Sequence, residues 1–142
     1  MPLRQGVILE FELEGSDFNG AGEASSKIKR TLQQLGIRHE IIRRIAISAY
    51  EAEMNVIIHA YRGVVKAAIY QDRTELTVQD EGPGIADIEL AMKEGYSTAP
   101  AHIRELGFGA GMGLPNMVRC TDKFDIKTEA GVGTRLSMTI YH

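Results

Sequence analysis

Two side chains that could carry chemistry, Glu51 and Asn55, lie four residues apart in a segment with helical periodicity. Residues three and four apart share one face of a helix, so both side chains project from the same side as Ser48. This polar stripe borders an apolar face, where unpaired polar groups are costly to bury. A bound metal ion and water would satisfy the carboxylate and the carboxamide. A plain solvated helix face is the alternative that these residues leave open.

Glycines cluster at three places after this helix. The run from Asp80 to Gly84 contains two glycines and a proline, which turn the backbone sharply and leave room for a ligand to approach. Glycines then alternate from Gly107 to Gly113, just before a helix start, where backbone N–H groups can cradle phosphate. The third cluster runs from Gly131 to Thr134. Taken singly, the three are also compatible with a tight turn, a flexible surface loop and a hairpin.

The glycine-rich segments do not match two common phosphate-binding patterns. The alternating glycines are not followed by the Gly-Lys-Ser/Thr sequence of the Walker A motif. The chain of 142 residues is also too short for a eukaryotic-type protein kinase, and it contains neither an HRD nor a DFG sequence. A nucleotide site in this chain must therefore be of another type.

In their order and spacing, these segments resemble the ATP site of the gyrase, histidine-kinase and MutL ATPase superfamily, the Bergerat fold. Glu51 and Asn55 match its N box, ExxxN, and the run from Asp80 to Gly84 matches its G1 box, DxGxG. The alternating glycines resemble its G2 box with the ATP lid. The resemblance covers roughly residues 38–140. It implies nucleotide-binding roles for Asn55, Asp80, Gly82, Gly84, Ile85, Gly107, Gly109, Gly111, Gly113, Leu114 and Thr134.

The resemblance also implies individual chemical roles. Glu51 would be the catalytic general base that polarises the attacking hydroxyl or water. Asn55 would ligate Mg²⁺, a hard cation that takes oxygen ligands. Asp80 would accept a hydrogen bond from the exocyclic amine of adenine, and the Thr134 hydroxyl would lie near the same base.

The size of the chain favours one branch of this superfamily. We expect no second domain with a phospho-accepting His and no transducer domain within 142 residues. The segments Asp80 to Ile88, Gly95 to Thr98, Gly113 to Pro115 and Asp122 to Phe124 look most like the switch kinases of stress-response partner switching. One departure is the segment from Ala99 to Leu106, which makes the lid longer and closer in length to that of the anti-sigma-factor kinases.

The resemblance implies an ATP- and Mg²⁺-dependent protein serine/threonine kinase that phosphorylates a small STAS-domain antagonist of an anti-sigma factor. A sigma factor, a phosphatase and a second copy of the chain are further candidate partners. Two alternatives stay open: a non-catalytic ATP-binding anti-sigma factor or adaptor, and an accessory ATPase with water as acceptor. Glu51 and Asn55 favour the kinase, because a pure adaptor needs no general base.

Composition limits the remaining classes. A net charge of −3 and the absence of a Lys/Arg run give no reason to expect nucleic acid as a partner. No apolar run is long enough to span a membrane and no signal peptide begins at Met1, so a cytoplasmic protein is expected. The length suits one domain, residues 1–142, with a single core.

The periodicity of apolar residues predicts the elements that position these segments. Period-two alternation from Val7 to Leu13 predicts a strand. Helices are predicted from Glu23 to Leu35 and from Arg38 to Tyr61, with Gly36 and Gly63 as their stops. Further strands are predicted at 64–70, 75–79, 124–128 and 134–141, and short helices at 85–94 and 113–120. This order predicts an α/β (α+β) two-layer sandwich, in which helices cover one face of a mostly antiparallel mixed sheet.

Overall fold

The structure, a computed structural model, describes residues 6–85, 90, 92–93 and 113–142. Its strands are β1 (Val7–Glu14), β2 (Arg62–Ile69), β3 (Arg73–Glu81), β4 (Lys123–Glu129) and β5 (Gly133–Tyr141). Its helices are α1 (Glu23–Gln34), α2 (His39–His59) and α3 (Gly113–Cys120), with one 3₁₀ turn at Phe18–Gly20. The helix predicted over 85–94 falls largely outside the described residues. Within the described ranges, no helix combines the length and the apolar character needed to cross a membrane.

The five strands form one sheet in the order β1-β2-β3-β5-β4, and every pair of neighbours is antiparallel. Along most of β3 and β5, buried residues alternate with partly exposed ones. Alternate residues of a strand point to opposite faces, so only one face of the sheet belongs to the core. The predicted two-layer sandwich is therefore confirmed, with an antiparallel sheet throughout the described strands.

Helix α2 supplies the centre of the helical layer, because it contacts α1, α3 and four of the five strands. The apolar stripe predicted along it is buried at every position, with exposures of 5% or less: Ile41, Ile45, Ala49, Ala52 and Val56. Helix α1 adds Ile28 and Leu32, both at 0% exposure. Glu51 and Asn55 border this stripe and are partly buried, so the same helix positions the functional site.

A charged residue also lies on the buried side of α2. Glu53 is 0% exposed and accepts three backbone hydrogen bonds at the start of α1, from Gly22 and Ala24 to Oε2 and from Ser25 to Oε1, at 3.1–3.2 Å. The first N–H groups of a helix have no partner within the helix, and its positive dipole end attracts a carboxylate. Glu53 therefore caps α1 from a distant part of the chain and anchors α1 to α2.

Two predicted boundaries were wrong. Helix α2 ends at His59 rather than at Tyr61, because the N–H of Tyr61 donates to the carbonyl of Glu81 and joins the sheet. Gly63 lies inside β2 and does not stop the helix. A Cβ placed on Gly63 would lie 2.9 Å from Val56 Cγ1 and 3.2 Å from the Cβ of Asp80. This glycine therefore allows β2 to pass close between α2 and β3.

Candidate active site

The polar side chains of α2 meet the first residue of α3. A Cβ placed on Gly113 would lie 3.3 Å from both Glu51 Oε2 and Asn55 Oδ1. Glu51 and Asn55 are both partly buried, and the side chain of Ser48 beside them is fully buried. The predicted polar stripe therefore faces a helix N-terminus rather than open solvent. Two oxygen atoms, Glu51 Oε2 and Asn55 Oδ1, therefore lie against the first residue of α3.

The carboxylate of Glu51 has one partner on α3. The Asn116 side-chain amide donates to Glu51 Oε1 at 3.3 Å. Burial raises the pKa of Glu51 above its ordinary value of 4.5, and the hydrogen bond from Asn116 lowers it in part. A raised pKa brings a carboxyl group closer to the range in which a general base is most effective near neutral pH.

The second cluster of polar side chains lies at the end of β3. The N–H of Thr134 in β5 donates to Asp80 Oδ1 at 3.0 Å, and no other described residue donates to Oδ2. Partial burial raises the pKa of Asp80, while the Thr134 hydrogen bond lowers it. Within the described residues, Asp80 is thus a carboxylate held through Oδ1 alone. The Cβ of Asp80 and the side chain of Val56 in α2 both lie close to Gly63. The Asp80 cluster therefore lies beside the turn of α2 that carries Asn55.

The turn after β3 is held close to the β4–β5 hairpin. Gly84 has a φ of +77°, and a Cβ on it would lie 2.6 Å from the carbonyl oxygen of Glu129. The N–H of Ile85 donates to the Thr128 hydroxyl at 2.8 Å, and that hydroxyl is 3.0 Å from the Thr134 hydroxyl. The DxGxG run therefore forms a turn whose backbone packs closely against the β4–β5 hairpin. It joins the Thr134 hydroxyl and the Ile85 amide in one hydrogen-bonded group.

The remaining predicted residues divide into two sets. Gly82 is buried against Ala60, and Leu114 is 6% exposed and packs in the core. Leu114 therefore seats the first turn of α3. The other three glycines of the alternating run, Gly107, Gly109 and Gly111, lie outside the described residues.

Two residues that sequence reasoning missed complete the site, since Asn116 and Thr128 hydrogen-bond the predicted residues. Gly133, which belongs to the predicted cluster from Gly131 to Thr134, makes way for Asp80, because a Cβ on it would collide with the backbone carbonyl of Asp80. The sequence offered one indication of Asn116: it lies three residues after Gly113, which places both residues on the same face of a helix. Thr128 carried no signal, because its role depends on the pairing of β4 with β5.

The Asn55 carboxamide oxygen beside Gly113 fits Mg²⁺ as one member of a ligand set, because it is a hard oxygen donor, which this ion prefers. Among the described residues, no group of three or more His, Cys, Asp and Glu side chains could hold a metal ion. In phosphoryl-transfer sites, Mg²⁺ usually keeps several waters and takes further ligands from the substrate phosphates.

Comparisons with known proteins identify the family of this chain. Residues 17–140 match the histidine kinase-like ATPase domain. The serine/threonine-protein kinase RsbT of Bacillus subtilis is 30% identical over 112 residues, which cover 76% of this chain and 78% of that protein. The anti-sigma F factors of Caldanaerobacter subterraneus and Clostridium acetobutylicum are 34% identical over 113 residues and 38% identical over 105 residues. These two alignments cover 76% and 70% of this chain, and 76% and 69% of the respective relatives. The predicted resemblance is confirmed: the chain belongs to the histidine kinase-like ATPase family, in the group that includes RsbT-type serine/threonine kinases and anti-sigma F factors.

Proposed function

We propose that this chain is an ATP-dependent protein serine/threonine kinase of a partner-switching system, and that it phosphorylates a STAS-domain antagonist of an anti-sigma factor. The observation that carries the proposal is the convergence of Glu51 Oε2 and Asn55 Oδ1 on the N-terminus of α3, at Gly113. A base and a metal-ligating carboxamide beside phosphate-binding amides are the parts that phosphoryl transfer requires. Similarity to a protein named as a serine/threonine kinase supports this reading.

ATP would bind along α2 between the two clusters. Asp80 Oδ2 would accept a hydrogen bond from the exocyclic amine of adenine, with Thr134 beside the base. The N–H groups at the start of α3 would bind phosphate oxygens. Asn55 would be the protein ligand of Mg²⁺, which when bound neutralises phosphate charge.

Glu51 would act on the acceptor. Its carboxylate accepts the proton of the Ser or Thr hydroxyl as that oxygen attacks the γ-phosphorus, and ADP leaves with the electrons of the broken P–O bond. The product phosphoserine or phosphothreonine carries about −1.5 to −2 charges, which would weaken the complex with the kinase. Release of the partner would then be controlled by the phosphorylation state.

A second candidate function is ATP-gated binding without transfer, as an anti-sigma factor or adaptor. Similarity to proteins named anti-sigma F factors favours a sigma factor as a binding partner, and the two functions are compatible in one chain. An accessory ATPase is a third reading of the same site, with water in place of the hydroxyl.

The test is transfer of radiolabelled phosphate from ATP to STAS-domain proteins of the same organism. Glu51→Gln should lower the transfer rate roughly 10²- to 10⁴-fold, the usual contribution of a general base. It should leave ATP affinity unchanged by calorimetry. Glu40→Gln is the matched control, because Glu40 is exposed on the same helix. A normal rate in Glu51→Gln would refute the base assignment, and ATP-dependent partner binding without transfer would support the adaptor.

A further inference from the structure

Asn116 is the one described side chain on α3 that hydrogen-bonds Glu51. Its amide nitrogen lies 3.3 Å from Oε1, while the other oxygen of Glu51, Oε2, faces the position above Gly113. A carboxylate on a flexible side chain can rotate and exchange its two oxygens. A neutral donor bonded to one oxygen distinguishes the two and leaves the other free to accept a proton.

We propose that Asn116 is a positioning residue for Glu51, which holds Oε1 so that Oε2 is directed at the acceptor hydroxyl. The proposal rests on the proposed function, because it concerns the orientation of the general base in phosphoryl transfer. Orientation of a catalytic group within about one ångström can change a rate by orders of magnitude. The orienting donor in this chain comes from α3, the helix whose N-terminus would bind phosphate.

Asn116 is able to do this because α3 is firmly seated. Met117, the next residue, is 0% exposed in the core. At the other end of the helix, Arg44 of α2 donates to the carbonyl of Cys120 at 3.0 Å and forms an ion pair with Asp122 at 3.0 Å. The short helix that carries Asn116 is therefore held in its middle and at its C-terminal end. The hydrogen bond from Asn116 to Glu51 also depends on α3 remaining in this position.

The experiment compares Asn116→Leu and Asn116→Asp in the radiolabelled transfer assay. Leu keeps the approximate size and removes the donor, and Asp keeps the shape but places a negative charge against Glu51. We expect kcat to fall about 5- to 10-fold in the Leu variant and further in the Asp variant, since the bond is long and only part-buried. KM for ATP should stay within about 2-fold, because phosphate and adenine contacts are intact. Asn116→Gln, which keeps the donor, should recover part of kcat.

The control is Asn19→Leu, since Asn19 is exposed on the 3₁₀ turn. A double-mutant cycle shows whether Asn116 acts through Glu51. In the Glu51→Gln background, Asn116→Leu should change the residual rate by less than about 2-fold, because no carboxylate remains to be positioned. The same several-fold loss in both backgrounds, a higher kcat in Asn116→Leu, or an equal rise of KM would overturn the proposal.

A second measurement separates this proposal from the proposed function. The carboxyl carbon resonance of Glu51 in ¹³C-labelled protein is identified by its loss in Glu51→Gln. It should shift in Asn116→Leu and stay in place in Asn19→Leu, whether or not phosphate is transferred. An unchanged resonance in Asn116→Leu would refute the contact itself, and a shifted resonance in a protein that transfers no phosphate would refute the kinase assignment.

Discussion

Two glutamates that are two residues apart on α2 should respond in opposite ways to the same substitution. Glu53 is buried and accepts three backbone N–H groups of α1, whereas Glu51 is only partly buried and accepts one amide. We predict that Glu53→Gln destabilises the fold strongly. Glu51→Gln should leave stability unchanged or raise it.

The magnitude follows from the contacts of Glu53. In Glu53→Gln, the carboxamide oxygen can still accept from Gly22 and Ala24, but the amide group then faces the N–H of Ser25. The lost bond to a charged acceptor is worth about 1.5–3 kcal/mol. Loss of the negative charge at the N-terminus of α1 adds about 0.3–1 kcal/mol. We therefore expect a decrease of about 2–4 kcal/mol in the free energy of unfolding.

The assay is urea unfolding at 25 °C and pH 7, monitored by circular dichroism. An m value equal to that of the wild type would show that the surface area exposed on unfolding is unchanged. Glu51→Gln is the matched control on the same helix. Since burial raises the pKa of Glu51, the folded state binds its proton more tightly than the unfolded chain does. At pH values above that pKa, the ionised Glu51 therefore lowers the free energy of unfolding, and replacement by a neutral Gln removes this destabilisation. Equal unfolding free energies for wild type and Glu53→Gln would refute the assignment of Glu53 as the cap of α1.

Three further predictions concern nucleotide binding, the general base and the stability of the fold. Calorimetry should show a preference for ATP over GTP, and Asp80→Asn should weaken ATP binding by about 1.5–3 kcal/mol; equal affinities for ATP and GTP would count against the adenine site. The transfer rate should decrease when the pH is lowered through the pKa of Glu51, which lies above 4.5, because Glu51 acts as a carboxylate. The Glu51→Gln variant should not show this decrease. Gly133→Ala should destabilise the fold by about 1–3 kcal/mol in urea, because its Cβ would collide with the backbone of Asp80. An unchanged midpoint would show that β5 accommodates the methyl group.

Local patterns were sufficient for most elements of this fold. Period-two alternation predicted a strand over 7–13 and a further strand was predicted at 134–141, and the structure has them at Val7–Glu14 and Gly133–Tyr141. The apolar stripe along α2 was likewise correct, because a helix that packs on a sheet must bury one face. Gly63 was misassigned since a glycine at a helix end and a glycine at a crowded crossing look alike in sequence. Only the packing of Val56 against β2 distinguishes them.

Within the site, the sequence by itself determined the candidate residues and their family, because the N box, the DxGxG run and the closing Gly-x-Gly-Thr occur in a specific order. It could not determine which residues support them. The Glu51–Asn116 bond joins residues 65 positions apart, and the Asp80–Thr134 bond joins residues 54 apart. Contacts at such separations depend on how α3 seats on α2 and how β5 pairs with β3. Glu53 appeared in sequence only as an acid on an apolar stripe, four residues after Ala49, and the tertiary structure alone supplied the helix end that makes its burial favourable.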